Sequence, residues 1–254
     1  MDASIRVAEL TASRGAAWLA DAFQLFRRAP LAWMGLSAGW IAITLALFLI
    51  PFIGGVIANF LQPAFFASFA IAAYRQGAGE AIVAADLFAG FKRNMRSLVN
   101  LGAVLLLAEI GIFAVMAALG LPMSASSTGE QFTIREYADA LSGKEWILLT
   151  GLALTALVKG ALWFAPPLIS FHGMSAAQAM RWSLYAAIAN LGAMALYGVT
   201  LFAIFFLALL PWALGLLVVV PMMVISTYIG YREVFEAIPG THPGDVPQPP
   251  DATP

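Results

Sequence analysis

Two residues in this chain combine ionisable chemistry with an apolar setting: Glu109 and Lys159, each inside a long hydrophobic run. A Lys or Asp at the centre of a membrane helix costs about 2.5–3.5 kcal/mol on insertion scales, so such residues persist where something pairs or uses them. Glu109 stands eleven residues after Leu98, and Lys159 eleven residues before Ser170. At ~1.5 Å rise per residue on antiparallel helices, both lie roughly 16 Å from the same end, near a bilayer midplane. Equal depth and opposite charge make them natural partners. Two roles are open to them. One is an interhelical pair or neutral hydrogen bond that fixes helix packing, with Thr155 and Trp163 one turn either side of Lys159. The other is a proton-relay or solute site, since intramembrane ionisable groups often mark pathways.

Other chemical signals are sparse. Pro166-Pro167 can unwind a helix and open a cavity, or simply kink it ahead of the following loop. His172 lies beside them and His242 far away near the C-terminus, and two distant histidines without clustered carboxylates make no metal site. Cysteine is absent, which removes thiolate metal sites and cysteine nucleophiles. No G-x-S-x-G, H-E-x-x-H or phosphate-binding glycine loop occurs. The expectation is a protein that is not an enzyme, with no catalytic, cofactor-binding or metal residues and no cofactor.

The elements that must hold Glu109 and Lys159 are membrane helices. Of 254 residues, 61% are hydrophobic and 11% charged, with mean hydropathy +0.86. Soluble domains run at about 45–50% apolar and about 25% charged. Six apolar runs reach the length of about 20 residues that crosses a bilayer. They read Leu31–Ile50, about Gly55–Tyr74, about Leu98–Leu119, about Trp146–Ser170, roughly Leu184–Leu209, and a run that follows Pro211 and extends to about Tyr231. The fold class expected is an all-α integral membrane bundle of six transmembrane helices with short cytoplasmic amphipathic helices. Pro63, Pro166, Pro167 and Pro221 should kink or interrupt their helices. One domain over 1–235 precedes a Pro-rich tail, 236–254, expected to be disordered. The charges scattered through residues 1–28 leave no uninterrupted apolar segment of the secretory-signal kind.

Loop charge sets the expected orientation. Arg6, Arg14, Arg27, Arg28, Arg75, Lys92, Arg93, Arg96, Arg181 and Arg232 fall on one side, against Arg135 and Lys144 on the other. The richer side should be cytoplasmic, which places both termini inside. The opposite loop, 120–145, is mildly acidic. Thr133 and Glu136 form a capping-box pattern there, with Gly143 a plausible stop, so one short helix is expected. A net charge of −1 implies no nucleic-acid partner.

A weak repeat precedes the odd-numbered spans. Residues 20–28 read ADAFQLFRR and residues 85–93 read ADLFAGFKR, while Asn100-Leu-Gly-Ala103 recurs as Asn190-Leu-Gly-Ala193. SAAQAMRWSLYA resembles the first two loosely and opens with Ser175 and Gln178, another capping box. Three units are implied, each an amphipathic helix followed by a helical hairpin. In the first, Trp18, Leu19, Ala22, Phe23 and Phe26 share one face, opposite Arg14, Asp21, Gln24, Arg27 and Arg28. Leu87, Phe88 and Phe91 form a shorter stripe in the second. Such helices lie in the interface plane, aromatics toward the acyl chains and basic groups toward anionic head groups. Arg27, Arg28, Lys92, Arg93 and Arg96 are candidates for a lipid or partner docking surface, or for ordinary positive-inside anchoring. Gly35 and Gly39 form a lone GxxxG.

The stretches Phe23 to Trp33 (F-x-L-F-R-R-x-P-x-x-W) and Asp86 to Asn94 (D-L-F-x-G-F-K-R-N) resemble those of an uncharacterised family of bacterial inner-membrane proteins. So does the stretch from Pro166 through His172-Gly-Met-Ser175 to Arg181-Trp-Ser183 and Asn190. More distantly the chain is similar to the membrane domain joined to some glycerophosphodiester phosphodiesterases, and to YciC-like membrane proteins. The resemblance spans about residues 15–235 and implies a multi-pass inner-membrane location. The resemblance does not extend to a phosphodiesterase catalytic domain, so that activity is not expected to carry over. A non-enzymatic protein acting through lipid contact, oligomerisation or a partner is the expectation, and a small-solute or proton-coupled transporter or channel using Glu109 and Lys159 the alternative.

Overall fold

The computed structural model describes residues 6–121, 141–210 and 214–235. The expected helix opening at Thr133 and the tail 236–254 lie outside the described residues. Among those residues the protein is all-helical, with nine α-helices and one 3-10 segment. They are α1 (Ser13–Phe26), α2 (Pro30–Phe48), α3 (Gly54–Gly77), the 3-10 helix (Ala84–Lys92), α4 (Met95–Ala118), α5 (Glu145–Trp163), α6 (Ala165–His172), α7 (Ala176–Ala189), α8 (Leu191–Leu209) and α9 (Leu216–Phe235). Six spans are long and apolar enough to cross a membrane: α2, α3, α4, α5 with α6 in line, α8 and α9. In α3 and α9, 56% and 61% of the span is buried, against 17–22% in the other four, so these two form the centre of the bundle. Both run unbroken through a proline, Pro63 and Pro221.

Two expected spans take a different form. The fourth is broken at Phe164: Pro166 and Pro167 offer no N–H to the carbonyls one turn back, and the chain restarts as α6 with the prolines in its first turn. The fifth begins at Leu191, not Leu184, because Asn190 leaves the helical region at φ −112°, ψ 32°. Its buried side chain accepts from Leu10 N at 2.8 Å and donates to Ala8 O at 3.0 Å, so the amide is used to tie down the N-terminal segment. Leu184 consequently belongs to α7. Ser175 and Gln178 cap that helix reciprocally, as their spacing implies.

The three-unit plan is realised as a ring. Each amphipathic segment packs on the hairpin of the preceding unit: the 3-10 helix on α2 and α3, α7 on α5 and α6, and α1 on α8 and α9. Small residues allow the close approach. A Cβ on Gly15 would collide with the backbone carbonyl of Ala193, and one on Gly90 with that of Ala64. Serines stitch two of the joints. Ser68 Oγ accepts from Gly90 N and donates to Ala64 O, both at 2.9 Å. Ser183 Oγ accepts from Phe164 N at 2.9 Å and donates to Gly160 O at 2.8 Å, meeting the helix break at Phe164.

The two copies of the Asn-Leu-Gly-Ala repeat are not structurally equivalent. Asn190 immediately precedes α8 and is buried, whereas Asn100 is exposed within α4. The residue placed like Asn190 is Asn94, immediately before α4, whose φ of 44° suits asparagine's tolerance of the left-handed region. The GxxxG pair is no helix–helix seam within the molecule. A Cβ on Gly35 would meet nothing within 4 Å, and one on Gly39 only Leu87 Cδ2 of the 3-10 helix at 3.2 Å.

The ring makes the two interface glycines far more sensitive than Gly35. Gly15→Ala and Gly90→Ala should each lower stability in detergent by about 1–3 kcal/mol, the usual range for overpacking. Gly35→Ala should be neutral or slightly stabilising. Thermal unfolding followed by circular dichroism checks this, and a neutral Gly90→Ala would refute the packing at that joint.

Candidate functional site

Glu109 and Lys159 meet. Both sit midway along their spans, and Lys159 Nζ donates to Glu109 Oε1 at 3.3 Å across neighbouring α4 and α5. The pair is not sealed inside the bundle: the side chains are 42% and 48% exposed. It therefore lies on the wall of the bundle at mid-span. The flanking residues expected to support it do not hydrogen-bond to Lys159, and Trp163 Nε1 is buried without a hydrogen-bond partner.

Lys159 also lines a cleft of about 170 Å³. Its walls run from mid-span toward the Leu98 and Ser170 ends of their helices: Gln62, Pro63 and Phe66 of α3, Leu101 and Leu105 of α4, Lys159, Leu162 and Trp163 of α5, Pro166 of α6, and Met223 and Thr227 of α9. The second helices of all three hairpins thus converge on it. Two of the prolines expected to disturb helices form part of its wall. Thr227 Oγ1 donates to Met223 O at 3.0 Å, closing the helix's own backbone.

The five candidate basic residues fall at the entries to spans one and three, on the same side of the bundle. Arg27, Arg28, Lys92 and Arg96 are exposed and Arg93 is half-buried, and none makes an ion pair among the described residues. Arg27 lies over the Phe23 ring at 5.8 Å. The aromatic faces beside them are arranged differently from expectation. Trp18, Leu19, Ala22 and Phe26 are buried against α8 and α9, and Leu87 against α2 and α3, leaving Phe23 and Phe88 outward. Protein, not acyl chain, covers most of each stripe.

Sequence reasoning missed a polar clamp between the two ends of the described chain. Glu233 accepts hydrogen bonds from Arg14 and from Trp18 Nε1, the latter at 2.9 Å, and Ala8 N donates to Val234 O at 2.8 Å. The hydrogen bonds to Glu233 hold the Arg14 guanidinium above its ordinary pKa, against the opposing effect of burial. Gly230 leaves the space that the Trp18 ring fills. Asp86, nearly inaccessible, is held in the same way by Arg75 and by Val83 N at 2.8 Å. Trp33 Nε1 donates to Gln76 Oε1 at 2.9 Å, and His172 Nε2 pairs with Tyr231 OH at 2.7 Å. A signal for these was present. Pro63 and Ser68 recur at the same five-residue spacing as Pro221 and Ser226, marking α3 and α9 as equivalent central helices. Among the described residues no group of His and carboxylates could hold a metal ion.

Comparison with known proteins gives one distant likeness. The chain is 26% identical over 262 aligned positions to a Burkholderia thailandensis protein described as "Probable inner membrane protein", covering 93% of each chain. No family model matches the chain, and no solved structure matches it. Six spans and this similarity agree: the chain is a multi-pass membrane protein.

The ion pair can be measured by a double-mutant cycle on Glu109→Gln and Lys159→Met. A coupling near or above 1 kcal/mol is expected, toward the upper end of interhelical polar contacts in membranes. Each single variant should be less stable than the double. A coupling of only a few tenths would show that the pair contributes nothing to packing.

Proposed function

We propose that this is a bacterial-type inner-membrane protein, not an enzyme, whose cytoplasmic face docks anionic lipid through Arg27, Arg28, Lys92, Arg93 and Arg96. The observation that carries this is the state of those five side chains: charged, mostly exposed, and without an ion pair among the described residues. Charges elsewhere in the amphipathic segments, Arg14 and Asp86, are consumed by the fold. Basic groups at a cytoplasmic membrane surface gain about 1 kcal/mol each from anionic lipids. The distribution of Lys and Arg, ten against two, supports an orientation with both termini inside. The name of the Burkholderia relative supports the inner membrane as the location. A second reading, a proton-coupled or small-solute transporter, is favoured by one observation, the contact of the central cleft with Lys159. Under that reading Glu109→Gln abolishes proton-coupled uptake.

The absence of native cysteine makes orientation directly measurable. In intact spheroplasts, an impermeant maleimide should label Ser142→Cys and spare Ala177→Cys until the membrane is broken. The reverse pattern would invert the assignment.

For lipid docking, the purified protein should retain phosphatidylglycerol in preference to phosphatidylcholine by native mass spectrometry. Replacing each of the five residues by Gln should reduce retention about five-fold, the equivalent of about 1 kcal/mol. Equal retention of both lipids by the wild-type protein would remove the proposal.

A further inference from the structure

The turn between α2 and α3 is apolar, uncharged and exposed. Leu49, Ile50, Phe52 and Ile53 all face outward, and no charged residue occurs from Ala29 to Tyr74. The connection after α4 has a different composition, with Glu130, Arg135, Glu136, Asp139, Lys144 and Glu145 between positions 120 and 145. Charge of that density belongs in water. The α2–α3 turn in water would be an apolar patch of the kind that exposed surfaces avoid.

Phe52 adds a second observation. It stands at the centre of a three-residue turn closed by Ile53 N donating to Pro51 O at 2.7 Å, a strained form. Its φ of 64° lies in the left-handed region, where a bulky side chain is an outlier and Gly or Asn would fit more easily. The ring is fully exposed, so its contacts lie outside the chain.

Helix length gives the depth of this turn. α2 starts at Pro30, directly after Arg27 and Arg28, and its 19 residues rise about 28 Å. A hydrocarbon core is about 30 Å thick, and the usual tilt of about 20° shortens the rise further. Paired arginines belong at or beyond the edge of that core, so the far end of α2 stops inside the opposite leaflet. α4, with Arg96 in its first turn, has 24 residues and rises about 36 Å, enough to emerge.

The backbone of the turn suits that depth. Irregular chain against lipid must satisfy its polar groups internally. Leu49 N donates to Leu45 O, Ile50 N to Leu47 O and Gly54 N to Ile50 O, while Pro51 has no N–H. The free N–H groups that open α3 then lie level with lipid ester carbonyls, which can accept them. A Cβ on Gly54 would collide with the Leu47 carbonyl, so glycine keeps the turn tight. The α8–α9 hairpin closes alike: Gly215 meets Ala208, again seven residues back, and Leu209, Leu210 and Leu214 are exposed beside it.

We propose that the α2–α3 turn is a lipid-contact surface, seated at the acyl–ester boundary of the leaflet opposite the basic residues, with the Phe52 ring among the acyl chains. It continues the lipid-facing side of α2, where Leu45 and Phe48 are exposed. The proposal holds whichever face is cytoplasmic, and it does not rest on anionic-lipid docking.

The test uses the full chain, whose lack of cysteine allows a nitroxide at one position at a time. Phe52→Cys and Leu49→Cys replace exposed side chains, and Ser142→Cys, exposed beyond α4, is the reference. Each variant is placed in nanodiscs of phosphatidylglycerol and phosphatidylcholine, where buffer reaches both faces. Power-saturation electron paramagnetic resonance then measures collisions with oxygen and with a neutral nickel chelate. Oxygen concentrates in hydrocarbon and the chelate in water, so the oxygen-to-chelate ratio should be about ten-fold higher at positions 49 and 52 than at 142. A ratio equal to that at 142 would put the turn in water and overturn the proposal. Weak collision with both probes would overturn it too, since a second copy or another protein would then cover the turn.

Discussion

In a bundle surrounded by hydrocarbon, an apolar side chain gains little by facing another helix instead of lipid. Cohesion must come from close backbone approach and from polar groups with no better partner. The ring of amphipathic segments supplies both. Gly15 and Gly90 bring one helix against the carbonyls of another, and Ser68, Ser183 and Asn190 satisfy backbone groups across the resulting joints. Because each segment grips the hairpin before it, and α1 grips the last, no unit closes without its neighbour. Arg14, Trp18 and Glu233 fasten the point where the ring returns on itself.

The same arrangement accounts for the cleft. Three hairpins in a ring direct their second helices toward one another, and each of those helices carries a proline, at Pro63, Pro166 or Pro221. A proline removes one backbone donor and crowds the preceding turn, so helices that bear it pack less evenly along their length. In α3 and α9 the helix continues. Between α5 and α6 it breaks, and Ser183 from the neighbouring unit takes over the free N–H of Phe164. The space beside these residues is lined by Trp163 and Lys159.

Surface charges divide into two groups once packing is known. Arg14, Arg75, Asp86 and Glu233 are parts of joints, and the basic residues at the span entries are not. In the sequence these groups look alike. Asp21 and Asp86 occupy the same place in the repeat, yet Asp21 is exposed and Asp86 is almost completely buried. Burial depends on which hairpin the segment meets, and no local pattern carries that.

Six spans and the amphipathic segments were legible because lipid selects on composition and length, quantities each stretch of chain possesses by itself. The meeting of Glu109 and Lys159 was legible for a related reason: helix rise converts residue number into depth, and alternating spans make depths comparable. Depth says nothing about azimuth. That the pair stands on the wall of the bundle, that Trp18 faces protein, that Asn190 ends a helix, and that a cleft opens beside Lys159 depend on the rotation of each helix about its axis. In hydrocarbon that rotation is set by backbone approach and hydrogen bonds between segments distant in sequence, and only the tertiary structure brings those segments together.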